Sequence, residues 1–223
     1  MTGSSKKDKL SLEQGVDIEC VSKFCYLGDM ISEAGGAGHA SVMRVRCAWQ
    51  KFRELAPILT SKGVSLKLKG LLYKACVQSV MIYASKTWPM KVEDARRLER
   101  AERMMVRWMC GVKRKKKKRK KSKRNQGSEE DSESSKLLGK LEVVNVEELV
   151  RRSRLRWFGH VERKPDEDWV KACRKFEVAG KGERGRRKKT WMECVNKDME
   201  LKGLCESVAQ DKKAWRRGLL GPV

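Results

Sequence analysis

The chain reads as mainly α: a short N-terminal β-hairpin followed by two small helical units joined by a disordered charged linker. Three observations predict this. Apolar residues recur at three- and four-residue spacing over most of the length. Capping residues of the Ser, Thr or Asn type stand in front of those stretches. One segment between them carries charge but nothing to bury. With 39% hydrophobic and 37% charged residues in 223, a core is possible but thin, which suits small helical units better than one large sandwich.

Residues 1–15 are expected to be disordered. Residues 16–31 read as a hairpin, with Val16, Ile18 and Cys20 and then residues 21–27 strand-like, and Gly28-Asp29 supplying turn chemistry before Met30 and Ile31. The glycines of residues 35–38 break the chain. A helix over 39–56 follows, with Val42, Val45, Trp49, Phe52 and Ala56 at helical spacing and Pro57 behind it. Ser65 is a good N-cap for the next helix, which carries Leu68, Leu71, Leu72, Ala75, Ser79, Val80 and Tyr83 on one side. A third helix spans 92–110, with Glu93 and Asp94 suited to its positive end and Leu98, Met105, Trp108 and Met109 facing a core. These elements make the first unit, residues 16–112.

Residues 113–140 change character abruptly, from a basic run to the acidic SEEDSESS, and read as the disordered linker. The second unit, 141–223, restarts at Asn145, an N-cap with Glu148 three residues on, and continues through Val146, Leu149, Val150, Ser153, Trp157 and Val161. Pro165 ends that helix, and 168–176 makes a short successor. After a Gly- and Arg-rich connector over 180–189, Thr190 with Glu193 and Ser207 with Gln210 mark helices over 191–201 and 208–219. Each helix has a tryptophan in it or beside it, as expected of indoles anchoring small cores.

Lys and Arg number 53 against 29 acids, a net charge of +24. The run over 113–124, opening with Lys113, Arg114 and Lys115, holds 11 of those cations, so basicity is also spread through the helical parts. A polyanion is the natural partner, nucleic acid first and an anionic membrane surface second. No apolar stretch approaches the roughly 20 residues that span a bilayer, and the N-terminus lacks the apolar segment of a signal peptide. The eight cysteines are scattered, several of them inside helical patterns, and read as reduced thiols buried as small hydrophobes.

Three places carry candidate binding chemistry. Arg96, Arg100, Arg103 and Arg107 fall at i, i+4, i+7 and i+11, either a solvated face balanced by Glu93, Glu99 and Glu102 or a helix laid along a phosphate backbone. Arg151, Arg152, Arg154 and Arg156 pose the same choice, and since they cannot all face one way, some must cover the helix's own apolar edge with their stems. Arg184, Arg186, Arg187, Lys188 and Lys189 lead into the start of the Trp191 helix, either as a solvated linker or as phosphate contacts. The 113–124 run reads as a solvated tract, a nuclear localisation signal met by an import receptor, or non-specific polyanion binding, which points to a nuclear or nucleolar protein. None of this implies readout of bases.

Catalytic and cofactor chemistry is not expected. There is no Asp-Asp pair of the kind that holds two metal ions for phosphoryl transfer, no Walker-type loop, and only two histidines. Asp166, Glu167 and Asp168 suit a helix start. Cys20, Cys25, His39 and Cys47, or His160, Cys173, Cys194 and Cys205, lack the tight pairs usual in structural zinc sites. No metal or cofactor is assigned.

Four phrases stand in order: FCYLGDMIS (24–32), YKACVQSVMIYASKTW (73–88), LRWFGHVER (155–163) and GRRKKTWMECVNKDMELKGL (185–204). Together they resemble the stretch that follows the polymerase palm in reverse transcriptases of non-LTR (LINE-like) retrotransposons. The resemblance runs over about 21–109 and 137–219. It implies that 26–28 belong to the hairpin leaving the palm, that 44–109 are the helical thumb that holds primer–template, and that residues from 146 on are the C-terminal helical extension. It places the palm, fingers and endonuclease before Met1, so neither polymerisation nor cleavage carries over to this chain. Residues 113–136 depart from the family's shorter link. The expected function is a non-catalytic nucleic-acid-binding fragment that grips DNA, RNA or hybrid backbone through basic helices. The alternatives are a truncated portion of an RNA-directed DNA polymerase and a host-adopted nuclear adaptor protein.

Overall fold

The computed structural model describes residues 9–11, 17–26, 29–32, 38–112, 123–175 and 189–220, and the fold is mainly helical. The expected short N-terminal β-hairpin is present, and a second short antiparallel pair precedes it. β1 (Lys9–Ser11) pairs with β2 (Asp17–Glu19), Leu10 opposite Ile18, so part of the segment expected to be disordered is strand. β3 (Lys23–Tyr26) pairs with β4 (Asp29–Ser32), Phe24 opposite Ile31, and β4 packs against the first helix.

That helix, α1 (Gly38–Leu59), buries Ala40, Ser41, Arg44, Ala48, Phe52 and Leu59. Of the residues expected at helical spacing only Phe52 is fully buried, and Val42, Val45, Trp49 and Ala56 are partly buried. Pro57 does not stop it: the last turn carries on to Leu59, which is fully buried, and Thr60 closes it by bonding the Ala56 carbonyl through both its backbone N–H and its hydroxyl. Ser65 caps α2 (Leu66–Leu72) by accepting from Leu68 N–H at 3.3 Å. A π-helical segment, Tyr73–Gln78, and the short α3 (Ser79–Met81) extend it.

Most of the apolar stripe expected on one side of this region faces water, although Leu72 is partly buried against the core. Leu68, Leu71 and Tyr83 are exposed, whereas Lys69, Gly70, Tyr73, Val77, Gln78 and Met81 point inward. Two local devices account for the rotation. Gly70 lets the α2 backbone lie directly on the backbone at Leu141, and Lys69 buries its stem while its ammonium donates to the Met109 carbonyl at 3.1 Å. The wide π turn then brings residues 73, 77 and 78 onto one side.

α4 (Val92–Met109) runs parallel to α1: Ser41 meets Asp94 where both begin, and Trp49 and Phe52 meet Trp108 near the end of α4. Leu98, Met105 and Met109 are buried as expected of a core face, but Trp108 is 54% exposed. The segment expected to be disordered over 113–140 is a helix, α5 (Lys123–Leu141), in its described part. Its last turns bury Leu137 and Leu141 and pack on α2 and α4, which supplies the apolar burial that the charged residues before them lack.

The expected break between two units therefore falls inside one core. That core takes in Leu137, Leu141, Val143, Val146 and Val150 together with α1, α2 and α4. The helix α6 (Val146–Glu162), capped by Asn145 Oδ1 accepting Glu148 N–H at 2.8 Å, gives its first half to this core. Its second half belongs to another, through Leu155 and Phe158. Around that second core stand α7 (Trp169–Lys175), α8 (Trp191–Lys202), the 3-10 turn Glu206–Gln210 and α9 (Lys212–Leu220). The Thr190–Glu193 capping box is present in both directions. The last helix is capped by Asp211, not Ser207, with Asp211 Oδ1 accepting from Lys213 and Ala214 N–H. Trp215 is buried and donates its indole N–H to the Leu155 carbonyl at 3.0 Å, in the space that Gly159 leaves open.

Among the described residues all eight cysteines are free thiols: Cys194 is buried, whereas Cys20, Cys25, Cys173 and Cys205 are exposed, contrary to the expectation of buried thiols. No group of three metal-ligating side chains occurs among the described residues, and no helix among them is long and apolar enough to cross a membrane.

Candidate nucleic-acid interface

A cation is available to a polyanion only where no carboxylate or carbonyl has already claimed it, and that criterion divides the arginines sharply. On α4, Arg96 and Arg100 are exposed and have no partner among the described residues. Arg103 is partly buried, and Arg107 is paired with Glu133 of α5 at 3.1 Å with only 13% of its side chain exposed. The four-residue stripe thus offers its first half to solvent and commits Arg107 to tertiary structure.

On α6 the separation is sharper still. Arg151 pairs with Glu147 at 3.2 Å, Glu148 at 2.7 Å and Asp198 at 3.5 Å, and Arg152 bonds Glu148 at 2.7 Å. Arg154 is buried against Asp198 at 2.6 Å. Lys202 of α8 closes the network on Glu148. Burial works to raise the Glu148 pKa, but hydrogen bonds from Lys202, Arg152 and Arg151 hold it below the usual carboxylate range. Burial pushes the Asp198 carboxyl up even though Arg154 and Arg151 pull it down. These groups tie α6 to α8. Arg156 alone of the four is exposed and without a partner among the described residues.

Lys189 donates to the Met90 carbonyl at 3.0 Å, joining the start of α8 to the loop before α4. Lys113, Arg114, Lys115, Arg184, Arg186, Arg187 and Lys188 lie outside the described residues. Of the expected contact set, the structure leaves Arg96, Arg100 and Arg156 open to solvent.

Other exposed arginines, unpredicted from the sequence, are Arg216 and Arg217 at the far end of the chain and a pair on α1. Arg46 and Arg53 of α1 are exposed, lack a partner among the described residues, and stand two helical turns apart on one side of the helix. The signal was present as an i, i+7 pair, masked by the apolar residues interleaved with it. Trp49 lies between them in sequence and meets Trp108 of α4 edge-to-face, ring centroids 5.8 Å apart. On α4, Arg100, Met104 and Trp108 follow at i, i+4 and i+8, all three exposed. The parallel pair α1–α4 therefore carries exposed arginines on both helices, unpaired among the described residues, together with a half-exposed indole that joins the two. Arg96 also borders a cleft of about 280 Å³ between α4, α6 and α8, where Lys91, Arg96, Arg151, Arg154, Lys189 and Lys197 stand against Glu99, Glu147 and Asp198, so cations outnumber acids even though Arg151 and Arg154 are held by those acids.

No protein-family model, no curated protein sequence and no solved structure matches the chain.

Proposed function

We propose that the chain is a non-catalytic nucleic-acid-binding unit that holds a sugar–phosphate backbone through exposed arginines on ordered helices, and that it derives from the thumb and helical extension of a non-LTR retrotransposon reverse transcriptase. The observation that carries this reading is the set Arg46, Arg53, Arg96, Arg100 and Arg156, exposed and unclaimed by any carboxylate among the described residues. Unpaired cations at a surface repel one another, and release of condensed counterions from a polyanion is the usual gain that sets against this. The four ordered sequence phrases support the retrotransposon origin. The lack of an Asp-Asp pair is the basis for assigning bond-making elsewhere. In this reading residues 113–124 serve nuclear import and general polyanion attraction.

A second reading makes the chain part of an RNA-directed DNA polymerase. The large apolar side chains Leu68, Leu71 and Tyr83, exposed along α2 and the loop after α3, favour it, because exposed apolar surface suits docking against another domain.

Fluorescence anisotropy with DNA, RNA and hybrid oligonucleotides across a salt series tests the proposal. Replacing Arg46, Arg53, Arg96 and Arg100 together by Ala is expected to weaken binding and to flatten the dependence of log K on log salt by up to about 0.9 per lost contact on duplex DNA. A salt-independent affinity would refute it.

A further inference from the structure

Trp108 follows Arg100 by two turns on α4 and meets Trp49 of α1, and an uncharged indole is not what holds a phosphate. Trp108 is 54% exposed, and Met104 one turn earlier is 46% exposed, whereas Met105 and Met109 on the inward side of the same helix are buried. Leaving an indole half in water forgoes apolar burial worth roughly 25 cal/mol per Å². Nor is the ring free to swing. It packs against Trp49 at 5.8 Å with planes at 69°, and against Phe52 at 6.1 Å with planes at 58°, and Phe52 is itself fully buried. The indole is a rigid shelf built on the core and open on its outer side.

We propose that this shelf stacks an unpaired base, so that the preferred ligand of the α1–α4 face is single-stranded nucleic acid. The inference rests on the backbone-binding reading above and adds the strandedness of the partner. Charge selects a polyanion: Arg46 and Arg53 flank Trp49 on α1, and Arg100 lies two turns before Trp108, about 12 Å along the axis. The aromatic surface then chooses among polyanions. In a duplex the base faces are stacked on one another and only their edges reach the grooves, so an indole lying against its own helix pair meets no base face. In a single strand the face is available, and stacking on an aromatic side chain contributes about 1–3 kcal/mol per base with little sequence preference. A flat indole face carries no hydrogen-bonding edge with which to read a base, so stacking there is tolerant of base identity.

The test uses the full chain with a labelled single-stranded oligonucleotide and its duplex in parallel. Trp108→Ala is expected to weaken single-strand binding about 5- to 150-fold, the equivalent of that stacking range. The duplex affinity and the salt slope should stay unchanged. Trp108→Phe should retain most of the affinity, and Arg100→Ala should lower the salt slope instead. Circular dichroism melts confirm that each variant is folded. If Trp108→Ala binds the single strand as well as the parent does while the arginine variants weaken, stacking is refuted and backbone binding stands. Equal losses on single strand and duplex would also refute it. A parent chain that binds neither would remove the backbone reading itself. A parent that sediments as a dimer dissolved by Trp108→Ala would assign the shelf to a second copy of the chain and overturn the inference.

Discussion

Glu102 of α4 accepts the backbone N–H of Val146, the first residue of α6, at 2.8 Å through one carboxylate oxygen and the Gln78 amide at 2.9 Å through the other. One buried side chain thereby joins three elements far apart in sequence: the π-helical segment, α4, and the helix shared by both cores. Gln78 extends the junction by donating to the Val144 carbonyl at 2.7 Å, and Tyr73 packs beside it, its hydroxyl pKa pushed well above the usual value by burial and then by the Glu102 charge.

Burial is the dominant influence on Glu102 and pushes its pKa from 4.5 up to about 7, against the hydrogen bonds from Val146 and Gln78. The folded state therefore holds the proton more tightly than the unfolded chain. The stabilisation from protonation is full below pH 4.5 and is lost as pH rises through about 7. It amounts to something on the order of 3 kcal/mol. Urea unfolding at pH 5, 6, 7 and 8 should show the parent losing stability relative to Glu102→Gln across that window. A difference between the two that does not change with pH would count against the protonated carboxyl.

Gly70 and Leu141 define the contact that brings α5 into the first core. A Cβ at position 70 would overlap the Leu141 carbonyl oxygen and crowd its carbonyl carbon, and backbone cannot move aside as a side-chain tip can. Gly70→Ala is expected to destabilise by about 1–3 kcal/mol or more, and Leu141→Ala by about 2–5 kcal/mol through the cavity it leaves. Chemical denaturation measures both. A neutral Gly70→Ala would mean that α5 does not dock on α2.

How the sequence foretold some of this and not the rest follows from range. Ser65, Asn145 and the Thr190–Glu193 pair were readable because a cap bonds backbone two or three residues away. The Ser207–Gln210 pair had the same pattern but lost to Asp211, whose carboxylate takes two N–H groups at the start of α9, while Gln210 turns to the Glu162 carbonyl. Which side of α2 faces inward was not readable. A stripe of Leu68, Leu71 and Tyr83 is the more apolar choice, yet Gly70 and Lys69 prevail because their partners, Leu141 and Met109, come from elements 40 or more residues away. Charge composition likewise concealed Leu137, Leu138 and Leu141 at the end of an otherwise polar segment. The fate of each arginine was equally non-local: Arg107 and Arg154 look like Arg100 in sequence and differ only through Glu133 and Asp198.

That contrast gives a paired prediction. Arg154→Ala removes the 2.6 Å partner of Asp198 and leaves it only Arg151 at 3.5 Å, so it should cost stability, up to about 3–5 kcal/mol. It should leave the salt slope of nucleic-acid binding unchanged wherever the variant is folded. Arg100→Ala should do the reverse, with stability within about 0.5 kcal/mol of the parent, as for other exposed sites, and a shallower salt slope. Thermal melts and anisotropy on the same two proteins decide it. Equal effects on stability would mean that exposure does not separate structural from binding arginines here.

Ala84 sits between Tyr83 and the 3-10 turn Ser85–Thr87, where the chain leaves α3 and crosses to α6. Its φ of 61° and ψ of 2° lie in the left-handed region, where a Cβ meets the following carbonyl and costs roughly 1–2 kcal/mol. The conformation is imposed by what surrounds it. Ser85 is buried, its N–H bonds the Ile82 carbonyl at 3.0 Å, and Lys86 offers its carbonyl to the Trp191 indole at 2.8 Å while its ammonium lies 4.3 Å from the centre of the Trp157 ring. Glycine adopts this φ without the steric penalty but loses more entropy on folding, so the net gain from Ala84→Gly should be near 1 kcal/mol or somewhat less. A rise in the urea midpoint with unchanged m-value is the expected result. A fall would show that the left-handed turn is not held in solution, and with it the crossing that seats the α8 end of the second core against the first.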